Sequence, residues 1–337
     1  MRYSLLELAP LSPGGSRHAA VEQALSAAAD AERAGYHRVW FGEHPGAAGY
    51  ASYDPAVLIA AAAERLSRIR LGSGAVLLNH YSPFSVAERF LMLEALAPGR
   101  IDLGLGRSTG GPVVDHALRR VRDAVPADDF DEQVQEIVGL FHNAFVPDHP
   151  FASIDLGDGV AGSPAVWMLG SSGNSAALAG RLGIGYTFGG QINPSMIHAA
   201  LGRYRDSFTP TPFGTGEPEA ILGLNIVAAD DEELAHELTW PARALRARGE
   251  DRAVPLLAQA RSELSDAEKR RTSAIRNGVV PGQISGTPES LRQQLEPLVH
   301  EAGVGEIVVL DMITDFELRK RSREIVAEVL GSIEPKP

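Results

Sequence analysis

The chain has 337 residues, 44% of them hydrophobic and 22% charged, with a formal net charge of −12. That length holds one large domain or two ordinary ones and buries a sizeable core without covalent staples. The acidic balance argues against nucleic acid and anionic membrane surfaces as partners, and the absence of cysteine removes disulfides, thiolate metal sites and cysteine nucleophiles.

Short apolar runs alternate with amphipathic stretches. YSLLEL (3–8) reads as a strand, and Val21, Leu25, Ala28 and Ala29 follow at helical spacing within 19–34. RVWF (38–41) is a second strand. Asp54-Pro55 opens a helix, with aspartate as N-cap and proline at the first helical position; Ser82-Pro83, Asn193-Pro194 and Thr287-Pro288 repeat the device. The run 69–78 is a third strand, with a helix over 83–97 behind it. IDLGLG (101–106) is the fourth strand, and a helix is expected over 130–145. AVWMLG (165–170) is the fifth, leading into a helix at SSGNSAALAGRLG (171–183). GYTFG (185–189) is the sixth, followed by a helix over 195–208. Residues 220–229 and 306–312 are the seventh and eighth, with a last helix over Phe316–Leu330.

Eight strands, each with a following helix, predict a (β/α)8 barrel of the α/β class as one domain over 1–337. A doubly wound sheet is the competing topology. Residues 231–285 break the rhythm and read as an insertion between strands seven and eight, with 266–285 expected to act as a mobile lid. The N-terminus lacks the pattern of a secretory leader, and no window reaches the apolar length of a membrane span. The expected location is the cytoplasm.

In a barrel the chemistry sits at the C-terminal ends of the strands. There the sequence places Glu43-His44, then Ser73-Gly74-Ala75, then Gly106-Arg107-Ser108, then Gly170-Ser171-Ser172-Gly173 with Ser175. The serine- and glycine-rich turn opens a helix, so its free N–H groups and the helix dipole suit a phosphate. Arg107, on the neighbouring strand end, adds a charge-assisted contact to the same group. The bland alternative is a serine N-cap and an arginine paired with a carboxylate. His44 reads either as a general base or ligand contact, or as part of a capped strand end. Gly72 and Gly74 mark a bulge, a close approach to a flat ligand, or tight packing. GLGRSTG is not a dinucleotide fingerprint, because the third glycine position falls on Thr109. His80 and His116 read as surface or structural. Neither a zinc-binding spacing nor a nucleophile elbow is present.

RVWFGEH (38–44), the stretch 69–107, VWMLGSSGNSAALAGRLG (166–183) and the C-terminal stretch 284–310 together resemble the bacterial luciferase-like, flavin-dependent monooxygenases. The resemblance spans nearly the whole chain and implies a (β/α)8 barrel, usually dimeric, that uses reduced FMN and oxygen. Some relatives use a deazaflavin coenzyme instead. It makes His44 the catalytic residue. Arg107, Ser171, Ser172, Gly173 and Ser175 become the phosphate site. Gly74-Ala75 becomes a cis peptide under the flavin ring, and Glu43 joins the cofactor-binding set. With no nicotinamide fingerprint, reduced flavin is expected from a separate reductase, and the chain is expected to form a homodimer. The pattern departs from luciferase itself. Pro45 replaces a second histidine, Gly106 a reactive cysteine and Ser171 an acidic residue, and 189–194 lacks an aromatic. Light emission from long-chain aldehydes is therefore not expected. The remaining alternatives are a deazaflavin-dependent oxidoreductase and a non-catalytic flavin-binding subunit.

Overall fold

The computed structural model describes residues 1–119, 128–157, 162–249 and 251–334. Ten strands are assigned among them: β1 (Arg2–Glu7), β2 (Arg38–Phe41), β3 (Arg70–Ser73), β4 (Val76–Leu77), β5 (Ile101–Gly106), β6 (Ala165–Gly170), β7 (Gly185–Gly189), β8 (Ala220–Ala228), β9 (Ile284–Gly286) and β10 (Glu306–Leu310). All pair in parallel, in the order β10-β1-β2-β3-β5-β6-β7-β8, and β8 pairs back to β10. That last pairing closes the barrel and disposes of the doubly wound alternative. The expected third strand is one staircase in two pieces. β3 and β4 both lie against β5, separated by Gly74–Ala75, whose peptide bond is cis.

Alternation along each strand sorts side chains between two cores. Leu5, Val39, Phe41, Leu71, Leu103 and Leu105 face outward and are buried under the helices. The inner face carries Trp40, Trp167, Ile221 and Val308, with Leu6 and Leu169 packed against them. Of the four capping pairs expected from the sequence, Asp54 and Thr287 cap through their side chains, whereas Ser82 and Asn193 make no side-chain cap bond. Asp54 accepts from the Ala56 N–H, Ser172 from Ser175, Thr287 from Ser290 and Asp315 from Leu318.

The floor of the barrel is ionic and dry. Arg38 donates from Nε and Nη2 to the two carboxylate oxygens of Glu306 at 2.8 and 3.0 Å, and from Nη1 to Asp102 at 2.8 Å. Asp102 also accepts from Trp40 Nε1 at 3.0 Å and from Arg70, and Ser4 donates to Glu306. The guanidinium lies 4.7 Å from the Trp167 ring centre, a cation–π contact in a desolvated place. Two fixed tryptophans therefore stand on a neutralised charge cluster. The glycines around them are dictated by volume. A Cβ on Gly185 would come within 2.4 Å of the Trp167 ring, and one on Gly72 within 2.7 Å of Trp40.

A second buried network fastens the last helix (Phe316–Ser332) to the outside of the barrel. Arg319 and Arg323 donate to Glu7 and to Asp311, at 2.6–3.0 Å. The 231–285 stretch folds into the helices Glu232–Glu237, Trp240–Arg248, Leu257–Glu263 and Asp266–Lys269 and ends in β9, which extends β8 beside Ile226–Ala228. β9 was not legible as a strand in the sequence.

Replacing Arg38 with methionine keeps the volume, takes from buried Glu306 its bidentate partner and leaves Asp102 with Arg70 alone as its cation. Arg38→Met is expected to lower unfolding stability by about 3–5 kcal/mol, measured by denaturant titration. A loss below about 1 kcal/mol would show that the cluster is not the barrel's support.

Candidate active site

Above the tryptophans glycine takes several inner-wall positions, between side chains such as Leu6, Leu169, Thr187 and Asn225. Gly74, Gly104 and Gly106 occupy one side, and Gly189 and Gly223 the other. A Cβ on Gly104 would lie 2.1 Å from the Ser73 carbonyl oxygen, so β3 and β5 meet here at a distance only glycine allows. The result is a mouth with backbone for walls, suited to a flat ring lying against peptide groups.

His44 stands at the rim after β2. Its N–H donates to the Ser52 carbonyl at 2.8 Å, and its ring packs on Tyr50 at 4.5 Å between centres. The ring folds back over Gly42, where a Cβ would lie 3.0 Å from His44 Cε1. Nδ1 is buried with no partner. Burial holds the imidazole down to a pKa of about 4, so it is neutral at pH 7 and able to accept a proton.

Glu43, beside it, faces the other way. Its carboxylate accepts from Leu77 N–H at 2.9 Å and from Tyr81 Oη at 2.7 Å. Burial raises its pKa. Both oxygens are committed to the protein, so the residue anchors the strand that follows Gly74–Ala75.

The β5–β6 register sets Gly106 opposite Leu169, which brings Arg107 level with Gly170 and the serine turn. Arg107 is exposed and ion-paired with Asp128. An exposed pair of this kind is weak, because solvent screens it. Asn79 Nδ2 donates to the Arg107 carbonyl at 3.1 Å and steadies its backbone. Across from it the helix Gly173–Leu182 starts in open space, with nothing within 4 Å of where a Gly173 Cβ would be. Among the described residues no protein group accepts from the N–H groups of Gly173 and Asn174. Two residues that sequence reasoning missed shape this turn. Tyr186 Oη donates to the Ser172 carbonyl at 3.2 Å and lies 3.3 Å from Ser175 Oγ, and Asn193 Nδ2 donates to the Ser171 carbonyl at 3.2 Å. Tyr186 sits in a strand whose pattern marks it only as core; burial raises its pKa to about 12, so it stays a donor. Gly170 is obligatory too, since a Cβ there would fall 2.0 Å from Ser175 Oγ.

The 231–285 stretch reaches the rim through Leu245 and Val254, which cluster with Leu8, Tyr50 and Met312. Val254 N–H donates to the Leu11 carbonyl at 2.7 Å. Within 266–285, Ser285 N–H donates to the Ser273 carbonyl, and the two hydroxyls meet at 2.6 Å. His80, read as surface or structural, has a buried side chain whose Nε2 lies 3.3 Å from Asp115, in the helix that follows the Arg107 loop. Among the described residues there is no cluster of three histidine or carboxylate side chains that could hold a metal, and no helix long and apolar enough to cross a membrane.

The site thus combines a closed parallel barrel, glycines at its mouth, a neutral histidine at the rim and an arginine beside a free helix start. The family model for luciferase-like monooxygenases matches residues 1–306, and the chain belongs to that family. It is 34% identical to a luciferase-like monooxygenase of Escherichia coli strain K12, over 97% of this chain and 96% of that one. The crystal structure of apo-MsnO8 superposes with a TM-score of 0.87 at 31% identity, covering 99% of each chain. The same fold recurs at 18% identity and TM-score 0.71 in the oxygenating constituent of the Pseudomonas putida 3,6-diketocamphane monooxygenase, in complex with FMN. It recurs at 16% and 0.66 in an F420-dependent secondary alcohol dehydrogenase.

The His44 pKa makes a stability prediction. The folded value, about 4, lies below the ordinary 6.5, so the unfolded chain takes up the proton first. Stability is complete above about pH 6.5 and is lost as pH falls toward about 4. Between pH 7 and pH 5 the wild type is expected to lose about 2 kcal/mol more than His44→Gln, read from urea unfolding at each pH. Equal losses would show that His44 titrates normally.

Proposed function

We propose that the chain is the oxygenating component of a two-component FMN-dependent monooxygenase acting on a small organic molecule, with reduced flavin delivered by a separate reductase. The observation that carries this reading is the phosphate cradle: the unpaired N–H groups of Gly173 and Asn174, with Ser172 and Ser175, beside Arg107 on the adjacent strand end. It is accompanied by the run of glycines at Gly74, Gly104 and Gly106 on the adjoining inner wall, beside the cis peptide Gly74–Ala75, where a planar ring would lie against backbone. The residues fit the group, and their serine-rich turn favours FMN over a deazaflavin.

When bound, the reduced flavin supplies the electrons that activate oxygen. The chain's own tasks are simpler. Arg107 leaves Asp128 and neutralises the phosphate, and the helix start donates to it. Glu43 and Tyr81 fix the strand end beyond Gly74–Ala75. His44, neutral and rim-buried, accepts or returns a proton at Nδ1. Leu8, Tyr50, Leu245, Val254 and Met312 keep water from the mouth.

We also propose that two copies associate through the helices Pro55–Arg65 and Pro83–Leu96, which leave Val57, Met92 and Leu96 more than half exposed. Such a group of apolar side chains on a soluble surface marks an association face.

Arg107→Ala is expected to raise the Kd for FMN by about tenfold or more, measured by fluorescence quenching, with the wild type preferring FMN to a deazaflavin. An unchanged Kd would remove the cradle, and the opposite preference would move the protein to the deazaflavin branch. Val57→Glu with Met92→Glu should halve the mass seen by sedimentation; an unchanged mass would dismiss that face.

A further inference from the structure

Three buried side-chain oxygens stand without a partner on one wall of the mouth: Thr187 Oγ1, Gln191 Oε1 and Asn225 Oδ1. Their direction follows from alternation. Gly185 faces Trp167 inside the barrel, so Thr187, two residues on, faces inward, while Tyr186 and Phe188 join the outer core. Ile221 belongs to the inner cluster, so Gly223 and Asn225 share its face. Gln191 is drawn to the same wall. Its N–H donates to the Gly223 carbonyl at 3.2 Å, and its Oε1 lies 2.8 Å from where a Gly223 Cβ would be. Gly223 is what lets the amide lie against the strand.

An unpaired buried acceptor destabilises a fold, and proteins retain one where a ligand answers it. Here the three line β7, β8 and the loop between. In the closed barrel β8 stands four strands from β3 by either route, directly across from Gly74–Ala75. A ring resting on the β3 wall therefore leaves this wall facing the space where a second molecule reacts. Next to it, β10 brings Leu310 into register with Asn225, and Leu310 continues into the apolar cluster of Leu8, Tyr50 and Met312. Among the described residues no inward position above the tryptophans is charged; Arg38, Asp102 and Glu306 lie sealed beneath them.

We propose that Thr187, Gln191 and Asn225 form the substrate-recognition wall of this site, and that the substrate is an uncharged small molecule presenting N–H or O–H donors to that wall and an apolar body to the Leu8, Leu310 and Met312 side. The proposal rests on the monooxygenase reading of the mouth. A wall of acceptors discriminates chiefly against analogues that have lost the donor, because the acceptors are then left unpaired.

The test uses FMN-loaded protein and two matched probe pairs: benzamide against N,N-dimethylbenzamide, and phenol against anisole. Binding is followed by calorimetry in the wild type, Thr187→Val and Asn225→Leu. In the wild type the donor-bearing member of each pair is expected to bind about tenfold tighter or more, and in the variants the ratio falls toward one. The ligand-free variants should melt at the wild-type temperature or a few degrees above it, since each loses an unpaired polar group. Equal binding within each pair, no binding of any probe, or a ratio unchanged in both variants would overturn the proposal. So would a melting temperature lowered by several degrees, or an FMN Kd weakened as much as probe binding, which would assign the wall to the cofactor. FMN binding is measured first. If it fails, the cofactor reading falls, and the same probe titrations on ligand-free protein judge the wall separately.

Discussion

The structure is governed by how little room there is inside a closed eight-stranded barrel. Here that room goes to Trp40 and Trp167, standing on the Arg38–Asp102–Glu306 cluster. Their bulk forces Gly72 and Gly185 at their own level. The crowding of β3 against β5 forces Gly104 just above. The ionic floor works because every charge has a partner with good geometry; removing Arg38 takes from Glu306 its bidentate partner and from Asp102 one of its two arginines, at a cost above what an exposed pair is worth. With the lower half filled by the tryptophans, glycines take several of the inner positions above them.

The two ends of the barrel accordingly carry different chemistry. Below, buried charges are neutralised and inaccessible. Above, polar groups are left unpaired or only loosely engaged: the Nδ1 of His44, the first N–H groups of the helix Gly173–Leu182, and Arg107 in an exposed pair.

Much of this was legible in the sequence because β/α rhythm is a one-dimensional signal. Apolar runs of strand length alternating with capped helices specify a parallel sheet, and their number specifies closure. Arg107 and the serine turn were legible for the same reason, since they follow consecutive strands and must be neighbours. What was not legible depended on pairing in three dimensions. The third strand read as a single run, but its glycines marked a bulge and the resemblance put a cis peptide at Gly74-Ala75, which is where the structure divides it. β9 is three residues long and acquires its identity from β8. The bonds that Glu43 accepts from Leu77 and Tyr81, one at each oxygen, were likewise invisible in the sequence. Tyr186 and Asn225 resemble ordinary strand residues, and only the barrel's curvature decides which of them faces the mouth.

The closure of the barrel also sets an order of events in time. β1 has its second neighbour in β10, with Arg2 level with Glu306, and the amino group of Met1 donates to the carbonyl of Ile333. Glu7 waits for arginines at 319 and 323, and Arg38 for a carboxylate at 306. Until β10 and the helix Phe316–Ser332 are in place, β1 therefore keeps one open edge and Glu7 and Arg38 lack these partners, so the first strand is secured only together with the last elements.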